Sequence, residues 1–483
     1  MKSLKYVVLL SLVMFAFSEL AVSDEKGEKW EKVSKDFRKV VENPKAAAKE
    51  IIDVVKRMAA LNDKRAVVEL MKETLFHKNF EVCKATFEAL IKTSDEKAIE
   101  AIAKNCAGEN DANKRFVLLK IVSHFKTKSA MDVILKAAES SDWRHKLIAA
   151  QSLPNFKDEL LAKNRQKTLS EDKNILIRYH ALKGMLVFDE KAKLPDEFNK
   201  STEFIEGKYL PETLYCDTIA VFVDFSNDMD TSMALPERDA LKKAKELAQQ
   251  QKKEPSHPKK KDGKEPSKEE LEKQKEEEYK QNFVVSRLKY AKQEVIDFLS
   301  RLPKGVKVKL YRVSSSLRAY KEKPVEVTKD ELTDMKKFLD DGIPSVARNW
   351  ELALRSAFED ANIDTAVLVG CGGPDGSKYD DYAEFLQWFE ERNWMRGLTL
   401  HILGIRADYE AGFGSDVDIL KWNKKNEREV NFLRQLAQIG GGNCGIIDHK
   451  GKVAIPEIPK EEPKKEEPKK EEPKPAPKEE PKK

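Results

Sequence analysis

The chain has 483 residues, of which 40% are hydrophobic and 36% charged, the composition of a soluble protein of two or three domains with some very polar segments. Its net charge of +5 is small against 89 basic and 84 acidic residues, so bulk electrostatics make no case for nucleic acid as a partner. Five cysteines (Cys83, Cys106, Cys216, Cys371, Cys444) are too few and too scattered for a disulfide scaffold.

Residues 1–23 run from the basic MKSLK through the apolar YVVLLSLVMFAF to the small residues Ala21-Val22-Ser23, the order of a secretory signal peptide. An uncleaved N-terminal anchor is the alternative. No later segment is apolar enough to span a bilayer, so the mature protein is expected in the periplasm, the cell envelope or the extracellular space, without a transmembrane segment. Residues 24–46 read as a lead segment.

Residues 47–200 are a string of amphipathic helical patterns with short polar breaks. In EVCKATFEALIKT the positions 83, 87, 90 and 91 form one apolar face, and in EKAIEAIAKNC the positions 99, 102, 103 and 106 form another. Ser94-Asp95-Glu96 between them has the signature of a helix N-cap. If the two helices pair antiparallel, Cys83 and Cys106 lie side by side across the seam and a disulfide is expected, with two buried free thiols as the alternative. The pattern recurs roughly every 30 residues, the period of an α-helical solenoid. SSDWRHKLIAAQSL and KNILIRYHALKGM resemble HEAT repeats, and that resemblance implies a protein-binding or scaffolding surface. A helical domain that only packs on its neighbour is the plainer alternative.

After a polar linker at 201–215, the texture of 216–454 alternates between strands and helices. TIAVFVDF, VKVKLYRV, DTAVLVG, LTLHILGI and NCGIID are apolar runs, separated by helical stretches such as SRLKYAKQEVIDFLSRL and NWELALRSAFEDA. Mostly parallel strands with helices on both faces, a doubly wound α/β fold, is the economical solution. A charged insertion at about 235–280 interrupts it and reads as a solvated loop or charged helix. The tail 455–483, with its KEEPKK units, reads as an extended disordered spacer.

The turn Asp224-Phe225-Ser226-Asn227-Asp228 ends the first strand, where ligands bind in such sheets. Together with Arg287-Leu288, the helix opened by Asn349, the CGGP after DTAVLVG and the closing FLRQLAQIGGGNCGIID, it resembles the von Willebrand factor A-type (vWA) domain over about residues 215–450. The resemblance implies a Rossmann-like fold, a non-catalytic role in protein binding, and a metal-ion-dependent adhesion site. That site would draw Mg²⁺ or Ca²⁺ ligands from Asp224, Ser226 and Asp228, from a Thr before the Asn-led helix, and from an Asp after the fourth strand. Here Arg348 falls at the Thr position and Cys371 at the Asp position. Ser345 and Asp375 are the substitutes within reach, and Asn349 completes the ligand face. A guanidinium beside a divalent ion is repelled strongly, and Arg cannot lose its proton, so Arg348 is expected to neutralise Asp224 and Asp228 in the ion's place.

No catalytic set and no cofactor are expected. The seven histidines have no metal-cluster spacing, Cys371 has no sequence-adjacent base, and Gly440-Gly441-Gly442 follows a helix and reads as a turn into the last strand. Phe385, Trp388, Phe389 and Trp394 lie at helical spacing and read as core. The expected function is protein–protein interaction or scaffolding outside the cytoplasm with a degenerate adhesion site. The alternative is a metal-dependent adhesin that binds a partner's carboxylate through Asp224, Ser226 and Asp228. Partner identity and oligomeric state leave no mark in the sequence.

Overall fold

The computed structural model describes residues 29–203, 210–230, 232–234, 284–375, 378–379, 381–405, 416–447 and 453–454, with the isolated positions 243 and 246. The signal segment 1–23, nearly all of the charged insertion and the tail 455–483 lie outside the described residues.

The N-terminal region is helical: α1 (29–41), α2 (Ala48–Ala59), α3 (Lys64–Glu73), α4 (Phe80–Leu90), α5 (Glu96–Gly108), α6 (Ala112–Val122), α7 (Lys128–Ala137), α8 (Trp143–Ser152), α9 (Leu160–Leu169) and α10 (Ile175–Phe188). Their starts are set by short polar side chains that accept from the first free N–H groups. Asp63, Asn79, Asp95, Asp111, Thr127, Asp142 and Asn174 all cap in this way, each stabilising its helix by about 1 kcal/mol. Residues 29–41 form a helix where the sequence reads only a lead segment. Phe37 is fully buried, and Trp30, Val33, Val40 and Val41 pack on the same core.

The helices pack both on their neighbours, as α10 on α9 and α5 on α6, and on the helix two positions away, with α4 against α2 and α5 against α3. That arrangement separates Cys83 from Cys106, and both are free thiols where a bridge is expected from the sequence. Cys83 Sγ donates to the His77 carbonyl at 3.0 Å, whereas Cys106 lines a cleft with Arg115 and His145. Burial pushes the two thiols up to about 11 and about 12, which keeps them protonated.

The second region holds β1 (Thr218–Asp224), the ribbon β2 (Ser232–Ala234) and β3 (Val284–Ser286), α11 (Arg287–Ser300), β4 (Lys307–Val313), β5 (Leu317–Ala319), β6 (Val325–Glu326), α12 (Lys329–Asp340), α13 (Trp350–Glu359), β7 (Thr365–Gly370), α14 (Tyr382–Arg396), β8 (Thr399–Ile405), α15 (Asp416–Ile439), β9 (Gly441–Ile447) and β10 (Val453–Ala454). The sheet order is β10-β9-β8-β7-β1-β4-β5, with β6 also on β4. The pairs β4–β1, β1–β7, β7–β8 and β8–β9 are parallel, and β5, β6 and β10 are antiparallel edges. These parallel strands are the apolar runs read from the sequence. Every residue of β1 and β7 is buried, as a sheet covered on both faces requires. One face packs Ile219, Val221 and Val223 against α11 and α12; the other packs Ala220 and Phe222 against α13, α14 and α15.

The linker 201–215 is more than a connector. Leu210, Leu214 and Tyr215 are buried in the sheet's core, and Tyr215 stacks on Tyr179 of α10 at 4.2 Å. A second contact runs through the C-terminal end of α14. Trp394, expected in the α/β core, packs instead on the helical region, edge-on to Phe80 at 5.5 Å and Phe87 at 4.9 Å. Arg144 donates to the Met395 carbonyl at 2.6 Å, Trp143 to the Ala361 carbonyl at 3.2 Å, and Lys84 pairs with Glu390 at 2.9 Å. Gly397 closes α14 in the left-handed conformation, φ +68°, and a Cβ there would lie 2.5 Å from the Phe116 ring. No described helix is long and apolar enough to cross a membrane.

Candidate functional site

In the sheet, β4 and β7 lie on opposite sides of β1, so the chain reverses its direction of winding there and leaves a crevice at the carboxyl ends of β1 and β7. Into that crevice come the turn after β1, the loop before α13 and the loop after β7. They are tied by backbone bonds: Asn227 N donates to Ser345 O at 2.7 Å, Ser345 N to Phe225 O at 2.8 Å, and Asp375 N to Arg348 O at 3.0 Å. Asn349 Oδ1 caps α13 by accepting from Leu352 N at 2.9 Å. The residues read from the sequence, Asp224, Ser226, Asp228, Ser345, Arg348, Asn349, Cys371 and Asp375, are therefore brought to one end of the sheet.

At the centre is Arg348, which is 4% exposed. Its Nη1 donates to Asp228 Oδ2 at 2.9 Å, Cys371 Sγ at 3.2 Å and Ser226 Oγ at 3.5 Å, and lies 3.9 Å from Asp224 Oδ2. Its Nε donates to the Gly373 carbonyl at 2.6 Å. Asp224 is fully buried and accepts from Ser226 N at 2.8 Å and from Cys371 N at 3.3 Å, with the Cys371 thiol at 3.6 Å. Ser345 Oγ stands 3.4 Å from Ser315 Oγ, and the Ser345 backbone bridges to that of Ser226. Asp375 meets the cluster through its backbone.

Burial raises the Asp224 pKa, opposed by the Arg348 charge and by the Ser226 and Cys371 N–H groups. Burial works to lower that of Arg348, but Cys371 and the two carboxylates outweigh it and the guanidinium is held more firmly protonated. The Cys371 thiol is pushed up to about 12, by burial first and then by Asp224. A neutral thiol against a carboxylate is a poor nucleophile.

The residues present do not fit a divalent ion. The guanidinium is within hydrogen-bonding reach of the Asp228 and Ser226 oxygens that the ion would use. At about 4 Å, a dication and a guanidinium repel by on the order of 8 kcal/mol at an effective dielectric of 20. Two residues of this arrangement escape the sequence pattern. Gly372 leaves room for the cluster, since a Cβ there would lie 2.7 Å from Arg348 Nη2 and 2.8 Å from Glu429 Oε2. Glu429, buried on α15 some 80 positions from Arg348 by residue number, thus closes the site from behind; only the folded chain brings it there.

The rim has its own character. Ile343 and Val346, on either side of Ser345, are 86% and 79% exposed. Beside them a cleft of about 380 Å³ is lined by Arg312, Arg318, Asp341 and Ser314 to Ser316. Arg312 and Arg318 sit directly opposite one another in the β4–β5 ladder, where like charges are unfavourable.

The fold is thus a helical region followed by a mixed, mainly parallel sheet wound with helices on both faces. No family model and no curated protein match the chain. Among solved structures it is similar to a von Willebrand factor type A protein from Catenulispora acidiphila, at 13% identity and a TM-score of 0.28. The match covers 48% of this chain and 38% of that one.

Proposed function

We propose that the chain is an exported, non-catalytic protein-interaction protein in which a HEAT-like helical array precedes a vWA-type domain, and that Arg348 permanently replaces the ion of a degenerate adhesion site. The observation that carries this reading is the bond from Arg348 Nη1 to Asp228 Oδ2 at 2.9 Å, made by a buried side chain that cannot deprotonate. The protonated Cys371 supports a binding role over a thiol-based reaction. The rim supplies what a partner would meet: two exposed aliphatic side chains beside a hydroxyl-rich cleft in which Arg312 and Arg318 outnumber Asp341, which favours an acidic surface with an apolar anchor.

The test is capture of partners from the native cell envelope with the tagged mature protein, in parallel with chelator and with Mg²⁺ or Ca²⁺. The same partner is expected under both conditions, with capture reduced by Arg312→Glu. Capture that requires the divalent ion would instead establish the metal-dependent adhesin. Export is tested by N-terminal sequencing of the native protein, which is expected to begin at Asp24.

A further inference from the structure

A cavity between the helical and α/β regions takes no part in the crevice chemistry. Its volume is about 700 Å³, in the range of small-molecule sites, which often form where two structural units meet. Phe87, Phe116, Ile148, Trp394 and Ile439 are among its walls, and Lys120 of α6 stands with them. Lys120 Nζ lies 4.4 Å from the Phe116 ring centroid and 5.6 Å from that of Trp394, and donates to the Trp394 carbonyl at 3.1 Å.

Ring faces and a carbonyl stabilise an ammonium without neutralising it. The acid on the cavity wall, Glu390 of α14, is engaged with Lys84 at 2.9 Å. Among the described residues, Arg144 on α8 acts on Lys120 as a like charge, itself paired with Asp142 at 2.6 Å. Burial and then Arg144 lower its pKa to about 8. An ammonium held by ring faces and a carbonyl is only partly compensated, and an entering anion would complete its pairing.

We propose that this cavity binds a small apolar monocarboxylate, its carboxylate accepting from Lys120 Nζ and its body lying against Phe87, Phe116 and Trp394. One cation calls for one negative charge, the walls call for an apolar body, and the volume sets the size. The proposal is independent of the reading given to the crevice around Arg348.

The probe is decanoate, titrated calorimetrically into the mature protein below its micelle-forming concentration, with decanol and decylamine as neutral and cationic controls. Saturable one-to-one binding of decanoate is expected, about tenfold or more tighter than decanol, with decylamine weaker still. Lys120→Met keeps the packing and is expected to fold; it should remove the preference for decanoate over decanol. A second measurement needs no variant: decanoate affinity should fall from pH 7 to 9.5 as Lys120 loses its proton, while decanol affinity stays flat. The neighbouring His124 faces Lys120 through its Nδ1, which donates to the Lys120 carbonyl at 2.8 Å, and Glu390 faces it across the cavity while paired with Lys84. Absence of saturable binding, equal affinity for the three probes, an unchanged preference in Lys120→Met, or a flat pH profile for decanoate would each overturn the proposal.

Discussion

At Arg348 a single side chain decides what the end of the sheet can do. Removing it leaves Asp224 buried without its counter-charge, and breaking a buried pair from one side typically costs about 3–5 kcal/mol. Arg348→Ala should therefore lower the urea midpoint substantially, and Arg348→Lys should restore only part, because an ammonium lacks the planar fork that reaches Asp228 and Gly373 together. An unchanged midpoint in Arg348→Ala would show that the guanidinium is not the structural cation. Asp364 offers a second residue-level test. It is buried at the start of β7 and accepts from Asp217 N at 2.7 Å and Thr365 Oγ1 at 2.7 Å, yet burial raises its pKa from 3.8 to about 7. The folded state then holds a proton that the unfolded state has released, so this group's contribution to stability falls as pH rises from about 4 to 7. Asp364→Asn, whose amide still accepts from the backbone and can donate to Thr365, should flatten that slope in pH-dependent denaturation. Were the slope unchanged, another group would be responsible.

The elements differ in how plainly their residues announce them. The central strands are legible because a strand covered on both faces is mostly apolar, as TIAVFVD and TAVLVG are, and β4 because KVKLYRV alternates towards the edge. The edges β5, β6 and β10, of three residues or fewer, are too short to show a period. Helix α1 carried a signal, since Trp30, Val33, Phe37 and Val40/Val41 follow helical spacing, but it lies next to the export-like segment and reads as its continuation. The Cys83–Cys106 expectation fails for a packing reason: it needs α4 and α5 paired face to face, while α4 lies against α2 and α5 against α3, α6 and α7. The site was legible as far as sequence order reaches. Asp224 and Cys371 follow from strand ends and Arg348 from the start of the Asn349-capped helix, whereas Glu429 and the space kept by Gly372 depend on how α15 crosses behind the loop. Gly372→Ala is expected to push on Arg348 Nη2 and Glu429 together and to lower stability by about 1–3 kcal/mol, read from the same urea titration. A neutral effect would mean that the loop yields easily.

Across the whole molecule, α14 couples the two regions: its body is core to the sheet, and its last turn, with Trp394 and Met395, is held by Phe80, Phe87 and Arg144 of the helical region. Trp394→Ala removes that anchor and should cost about 2–4 kcal/mol at the contact, so that calorimetry resolves two unfolding transitions where the wild type shows one. A single transition in the variant would place the coupling elsewhere, in the buried linker around Tyr215. The carboxyl end of the sheet lies apart from that contact, with Ile343 and Val346 exposed at its rim and the buried Arg348 guanidinium beneath. The most direct measurement of the proposed internal cation is the thermal midpoint of the protein in chelator and in millimolar Mg²⁺, Ca²⁺ or Mn²⁺. An ion bound at a hundred times its dissociation constant would add about 2.7 kcal/mol, a shift of several degrees. No shift is expected with Arg348 in place; a saturable rise that Asp228→Ala abolishes would contradict it.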